Sequence, residues 1–471
     1  MSDARLVVHS PARRPPIRVR TASVVTLDLP VRFPTEPVDR HLAADGMRHM
    51  RLVLHLDGRV DVERMRHAVQ QMLDALPILR SRLTDRKWQP CWEAGANVSA
   101  DDILQLRPAD PGRGAAAHDN TVPAQALQVI VTQGLTDDVT VLFDHPLGDF
   151  RAMLRCVQLL ADTYSALERD HGYVLPPLPL ADRSFRSLAR RLPRPERLQI
   201  LKAGVKVLNE FRRCGRWRLR HADSIDPTAS GFVVRHEFCA DEAASLEAYA
   251  LRRRVTTYHA LLAAYFLALT EVLPDSDDVL AIGAPVDLRR RFGSESPFSI
   301  GNICGIEPII LQRSSLATWD AAIEAVRQQM FVTRKSTLGT TGSPLFLECL
   351  PVPTRWLQGV MPYAVMQRRQ RRRRVATTLR RELHAVTATL GNRIDSERTR
   401  FGSLTIRGAD NEFRPTETFG FRALQALAFD DRLTVSIGWG RSEEMEAVRD
   451  ALLRVLQPAL ATLVVAKPHA Q

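Results

Sequence analysis

Twice along the chain a short alternating apolar stretch gives way to an apolar stripe at helical spacing, and this repeated order constrains the fold more than any single residue. In the first instance Arg51 to Leu56 (RLVLHL) alternates as a strand does and ends at the turn residues Asp57-Gly58. Asp61 is then placed to cap a helix carrying Val62, Met65, Ala68, Val69, Met72 and Leu73, and Pro77 stops it. Ala126 to Val131 and Val139 to Phe143 read as further strands, with a loop between Asp110 and Val122. A helix follows at once, its apolar face made of Met153, Leu154, Val157, Leu160, Tyr164 and Leu167. Prolines 176, 177 and 179 punctuate the chain, and a basic helical stretch runs to about Arg220. The second instance restarts the pattern. Phe232 to Phe238 is strand-like, Asp241 begins a helix, and Thr257 begins another so uniformly apolar that it is predicted to be buried. Val279 to Pro285, Ile303 to Leu311 and Leu433 to Ile437 read as strands. The prediction is an α/β protein of two similar halves, with no short sequence repeat behind them.

A chain of 471 residues fits two domains at roughly 100–200 residues each. Residues 1–20 are polar and proline-punctuated and read as a flexible N-terminal arm. The first lobe is placed at 21–220, a linker at 221–230 (HADSIDPTAS), and the second lobe at 231–471. A 45% hydrophobic, 25% charged composition excludes collagen, a coiled-coil rod and a largely disordered chain. The six cysteines stand singly, which argues against a zinc ribbon or a redox CxxC pair. No signal sequence opens the chain, and Ala260 to Leu269, the longest apolar run, falls short of the ~20 residues a bilayer needs. The expected compartment is the cytoplasm, where the Asn97-Val98-Ser99 sequon is a chance match.

The chemistry concentrates in Val141 to Met153 (VLFDHPLGDFRAM). The strand ends at Phe143, His145 falls on the turn, and Asp149 opens the helix. A helix N-terminus carries roughly half a positive charge, which disfavours imidazolium and keeps a nearby ring neutral. A neutral imidazole near pH 7 is what a general base requires. Asp149 suits both an N-cap and a partner for a cation elsewhere.

DHPLGDF, residues 144–150, resembles the HHxxxDG signature of the condensation-domain and CoA-dependent acyltransferase superfamily. That superfamily includes nonribosomal peptide condensation domains, wax ester synthase-like enzymes, polyketide-associated acyltransferases and BAHD enzymes. Further matches occur in the right order. Arg51 to Leu83 is similar to the family's opening strand, helix and HPxLR segment, and APVDLRRRFG (284–293) to its second-lobe arginine motif. SIGNICG (299–305) is similar to its glycine-asparagine segment, and LQALAFDDRLTVSIGWG (424–440) to its late strand pair. The resemblance implies two chloramphenicol-acetyltransferase-like lobes forming a V with a central substrate tunnel. It implies that His145 is the catalytic base and that Asp149 pairs with Arg289 of the second lobe, an assignment that rests on the VDLR match, with Arg290 and Arg291 as rivals. Asp144 stands where the family has its first His and is expected to support the loop. Gly148, Phe150 and Asn302 are expected along the tunnel, Phe150 in place of the signature's final Gly.

The implied activity is transfer of an acyl group from acyl-CoA or a carrier-protein phosphopantetheine thioester to a hydroxyl or amine acceptor. The thioester is a co-substrate, and neither a tightly bound cofactor nor a metal is implied. Asp144 and Phe150 motivate an alternative, a catalytically degenerate scaffold that binds carrier proteins. Arg368 to Arg374 (RRQRRRR), with Arg380 and Arg381, is the densest charge cluster. It reads either as a landing site for CoA phosphates or an acidic carrier protein, or as a solvated helix face. No aromatic residues interleave with it, which argues against nucleic acid.

Overall fold

Strands form where apolar residues alternate or run continuously, and helices where they recur every three or four. The computed structural model describes residues 31–44, 49–84, 90–109, 125–178, 183–213, 233–272, 279–289, 300–333, 337–341, 344–350, 386–413, 422–438 and 442–461. The N-terminal arm, the 221–230 linker, Arg290, Arg291 and the arginine cluster around 368–381 lie outside them. The first half supplies strands β1 (Arg32–Pro34), β2 (His49–Leu56), β3 (Ser81–Thr84), β4 (Cys91–Ala94), β5 (Leu104–Pro108), β6 (Leu127–Gln133) and β7 (Asp138–Asp144). Its helices are α1 (Pro37–Ala44), α2 (Val62–Ala75), α3 (Ala100–Ile103), α4 (Phe150–Arg169), α5 (Phe185–Arg191) and α6 (Arg194–Arg213). The second half supplies β8 (Val233–Phe238), β9 (Val279–Asp287), β10 (Cys304–Gln312), β11 (Val386–Ile394), β12 (Ile406–Phe413), β13 (Arg422–Phe429) and β14 (Arg432–Gly438). It also holds helices α7 (Ala240–Arg252), α8 (Thr257–Val272), α9 (Trp319–Arg327) and α10 (Pro344–Glu348), and the terminal helix Ser442–Leu460.

Local chemistry explains the expected boundaries. The Asp61 carboxylate accepts from the Arg64 amide and caps α2, and the helix ends two residues before Pro77. In α8 ten of sixteen residues are buried, because that helix presents no polar face. Among the described residues no single helix is long and apolar enough to cross a membrane.

Two large sheets organise the molecule. One has the order β10-β9-β11-β13-β14-β8 and carries α8, α9 and the terminal helix against it. The other has the order β12-β2-β7-β6-β5 and packs on α2 and α4. A small third sheet joins β1, β4 and β3. No local pattern anticipates β12. This strand from the second half pairs antiparallel with β2, from Ile406 opposite Leu56 to Phe413 opposite Met50. Ile394, Phe401, Ile406, Leu427 and Phe429 accordingly pack into the first core.

That junction is tied by charge. His55 on β2 lies 2.8 Å from an Asp138 oxygen on β7 and 3.2 Å from an Asp410 oxygen on β12. Arg235 on β8 reaches the other Asp410 oxygen at 3.2 Å. Hydrogen bonds that the imidazolium donates to Asp138 and Asp410 outweigh burial and raise the His55 pKa to about 9. Its pKa is thus higher folded than the ordinary 6.5. The stabilisation is complete below pH 6.5 and disappears as pH rises through about 9. Allowing for partial exposure, it is worth about 2 kcal/mol. In urea unfolding at pH 6 and pH 10, the wild-type protein should lose about that much more stability than His55→Gln. Equal losses in the two proteins would show that the triad does not couple β2 to β12.

Candidate active site

The turn between β7 and α4 is held by its carbonyls. The Asp144 carbonyl accepts from the Leu147 amide at 2.8 Å, closing the turn. The next four carbonyls each accept from a side chain. Asn302 Nδ2 donates to His145 O at 2.9 Å and Pro146 O at 3.0 Å. Arg183 Nη2 donates to Leu147 O at 2.9 Å. His145 Nδ1 lies 3.2 Å from Gly148 O. A carbonyl oxygen can only accept, so Nδ1 carries the proton there and Nε2 carries the lone pair of the neutral ring.

Sequence chemistry permits this path. Pro146 has no amide proton to satisfy. A Cβ at Gly148 would lie 2.8 Å from Ala152 Cβ and 3.1 Å from the Phe143 ring, so any side chain would force the turn off the helix. Asp149 then caps α4, its Oδ1 accepting from the Ala152 amide at 3.0 Å.

The same carboxylate joins the two halves. Arg289 clasps Asp149 with both arms, Nη1 to Oδ2 at 2.9 Å and Nη2 to Oδ1 at 3.0 Å. Ile303 N adds a bond to Oδ2 at 2.9 Å. Arg289 also donates to Gly301 O at 2.8 Å and to Asp287 at 3.2 Å. Asp149 and Arg289 are only 5% and 4% exposed, so the fork is desolvated and geometrically fixed. Burial opposes the Arg289 charge, but Asp149 and Asp287 prevail and hold its pKa up.

His145 is partly exposed, yet its ring is set deeply enough that lost hydration lowers its pKa below the ordinary imidazole value. The Gly148 carbonyl and Asp149 oppose that shift without reversing it. The ring therefore stays neutral at pH 7, with Nε2 as its proton acceptor.

The residues singled out from sequence thus fall into two groups. His145, Asp149, Arg289 and Asn302 converge on one turn, while Gly148 is buried and gives that turn its close packing. Asp144 is buried at the end of β7 and its backbone closes the turn. Phe150 is 8% exposed and lies in the first core, with Leu147 and Met153 among its members. Truncating a phenyl group in such a core costs ~3–5 kcal/mol, the loss expected for Phe150→Ala in urea unfolding. A loss below about 1 kcal/mol would place the ring outside the core.

Two residues not anticipated complete the surroundings. Arg183 lies 2.9 Å from Asp39 Oδ2, and both are buried. Complete burial raises the Asp39 carboxyl above the usual range against the pull of Arg183. Asp39 looks locally like an ordinary first-turn acid of α1, and Arg183 like one arginine among many. Behind them α5 and α6 pack Phe185, Leu188 and Ile200 against Leu288 and Ile303, the neighbours of Arg289 and Asn302.

No protein-family model matches the sequence, and no curated protein matches it. The fold does match solved structures. The epimerization domain from the third module of tyrocidine synthetase B superposes with a TM-score of 0.67 at 13% identity, covering 93% of this chain and 98% of that one. TRI3 trichothecene 15-O-acetyltransferase from Fusarium sporotrichioides gives 0.64 at 13% identity, covering 92% and 96%. The first condensation domain of the CDA synthetase gives 0.61 at 15% identity, covering 92% and 96%. These similarities span both halves, and the fold of this chain is the one shared by condensation domains and their acyltransferase relatives.

Proposed function

We propose that this protein is an acyltransferase that moves an acyl group from a CoA or carrier-protein thioester to a hydroxyl or amine, with His145 as general base. The observation that carries the reading is the bond from His145 Nδ1 to Gly148 O, which leaves Nε2 as the basic nitrogen of a ring kept neutral by burial. Bonds from Asn302, Arg183 and the Leu147 amide hold the turn that carries the base.

In the proposed reaction the acceptor O–H or N–H gives its proton to His145 Nε2 as its lone pair attacks the thioester carbonyl carbon. The carbonyl π electrons move to oxygen and form a tetrahedral oxyanion. When these electrons return, the C–S bond breaks, and the departing sulfur takes the proton from the imidazolium. An ester or amide and a free thiol result, and the neutral imidazole is restored. The thioester is already activated, so no covalent enzyme intermediate is required. Asp149 and Arg289 act on architecture in this scheme: they pin the first turn of α4 to the second half.

The test is thiol release from a chain-length series of acyl-CoA thioesters incubated with a panel of alcohols and amines. Acceptor-dependent thiol release that yields a stoichiometric ester or amide is the expected result. Absence of transfer across the panel, together with saturable binding of a carrier protein, would favour a non-catalytic scaffold.

A further inference from the structure

Arg183 is an expensive residue to bury. Its side chain is 7% exposed, and among the described residues its Nε and Nη1 find no partner. The bonds it does make both come from Nη2, one to Asp39 Oδ2 and one to Leu147 O, each at 2.9 Å. Asp39 is equally committed. Its Oδ2 also accepts from Trp92 Nε1 and from the Glu36 amide, both at 3.1 Å, while its Oδ1 finds no partner among the described residues. A buried ion pair with unmet donors and acceptors contributes little net stability compared with apolar side chains of the same size. What it does supply is a fixed direction for one guanidinium nitrogen.

That direction matters because of what lies at its end. The Leu147 carbonyl stands between the two carbonyls bound by Asn302 and the Gly148 carbonyl bound by the His145 ring. The Arg183 side chain also lies over Gly301, where an added Cβ would meet its Cγ and Nε at 3.2 Å. Gly301 in turn offers its carbonyl to Arg289 at 2.8 Å. Arg183 therefore braces the turn at Leu147, and both it and Arg289 approach Gly301.

We infer that Asp39 and Arg183 are positioning residues for His145: through the Leu147 carbonyl they hold the turn in the path that brings Gly148 O to the His145 ring. Fixing that bond fixes the tautomer, and the tautomer decides which nitrogen can accept a proton. The strap starts on α1, so the orientation of the base depends on a carboxylate more than 100 positions earlier in the chain. The role in catalysis rests on the acyltransferase reading above, but the geometric claim does not.

The experiment is nitrogen-15 NMR of the full chain labelled at histidine, with the His145 ring signals assigned by their loss in His145→Asn. In the wild-type protein Nδ1 should show the shift of a protonated nitrogen and Nε2 that of a bare one across neutral pH. Arg183→Met should convert this to a mixture of tautomers and move the ring's titration upward toward the ordinary 6.5. Asp39→Asn keeps the size of the side chain and removes its charge, and it should shift the same signals in the same direction. Circular dichroism reports whether each variant remains folded. If Arg183→Met does not fold, Asp39→Asn decides. A folded variant whose His145 ring keeps the wild-type tautomer and titration would overturn the inference. Failure of acyl transfer in the wild-type protein would leave these spectra unchanged and would strike only the reading of function.

Discussion

His145→Ala should lower acyl-transfer turnover at least ~100-fold while the thermal midpoint stays within a few degrees of wild type. The two halves of this expectation have separate causes. Loss of a positioned base removes ~10²–10⁴ of rate acceleration. The small structural effect follows from how the turn is built. The His145 ring bonds Gly148 O, whereas the path of the turn is also set by Asn302, Arg183 and the Asp149 cap. His145 as a whole is partly exposed. A variant as active as wild type would remove His145 from the mechanism. One that unfolds would show the residue to be structural.

Asp149→Ala and Arg289→Ala should each cost ~3–5 kcal/mol, because either change leaves a buried charge without its counterpart. The two losses should not add. Removing both partners eliminates the stranded charge, so the double variant should be more stable than the sum of the single effects predicts. The geometry makes this the strongest coupling expected at the site: two parallel bonds of 2.9 and 3.0 Å between groups 5% and 4% exposed. Asp149→Ala also strips the N-cap of α4, a further ~0.5–2 kcal/mol, and should be the worse of the two. Urea unfolding of the four proteins closes the cycle. Strictly additive losses would show that the fork contributes nothing as a pair.

Legibility in the sequence followed how local each signal is. The strand at 51–56, the helices beginning at 62, 150 and 257, and the strands beginning at 279 and 304 all carry their periodicity within a dozen residues. Their boundaries were read to within about two residues. β12 (IRGADNEF) has no such alternation, and it is a strand because β2 offers it an edge more than 350 positions earlier. No local pattern encodes that pairing, and the consequent mixing of the two halves in the first core was invisible. The site divides the same way. His145 and Asp149 lie on one strand-turn-helix and were readable from residue type and spacing, and Arg289 was reachable only through the family resemblance. Arg183 and Asp39 come from unrelated segments 144 positions apart, and only the folded chain brings them together. Phe150, a phenyl ring in the first turn of an amphipathic helix, packs in the first core.

The central claim is that a neutral His145 accepts the proton of the attacking group, and the pH dependence of kcat/KM for acyl transfer tests it most directly. Burial keeps the ring's pKa below 6.5, so its active, neutral form should persist to lower pH than for an ordinary histidine. The account predicts a rate that is flat through neutrality and declines only below pH 6.5, with that acidic limb absent from the residual activity of His145→Ala. An acidic limb centred at or above 6.5, or one that survives unchanged in His145→Ala, would contradict it.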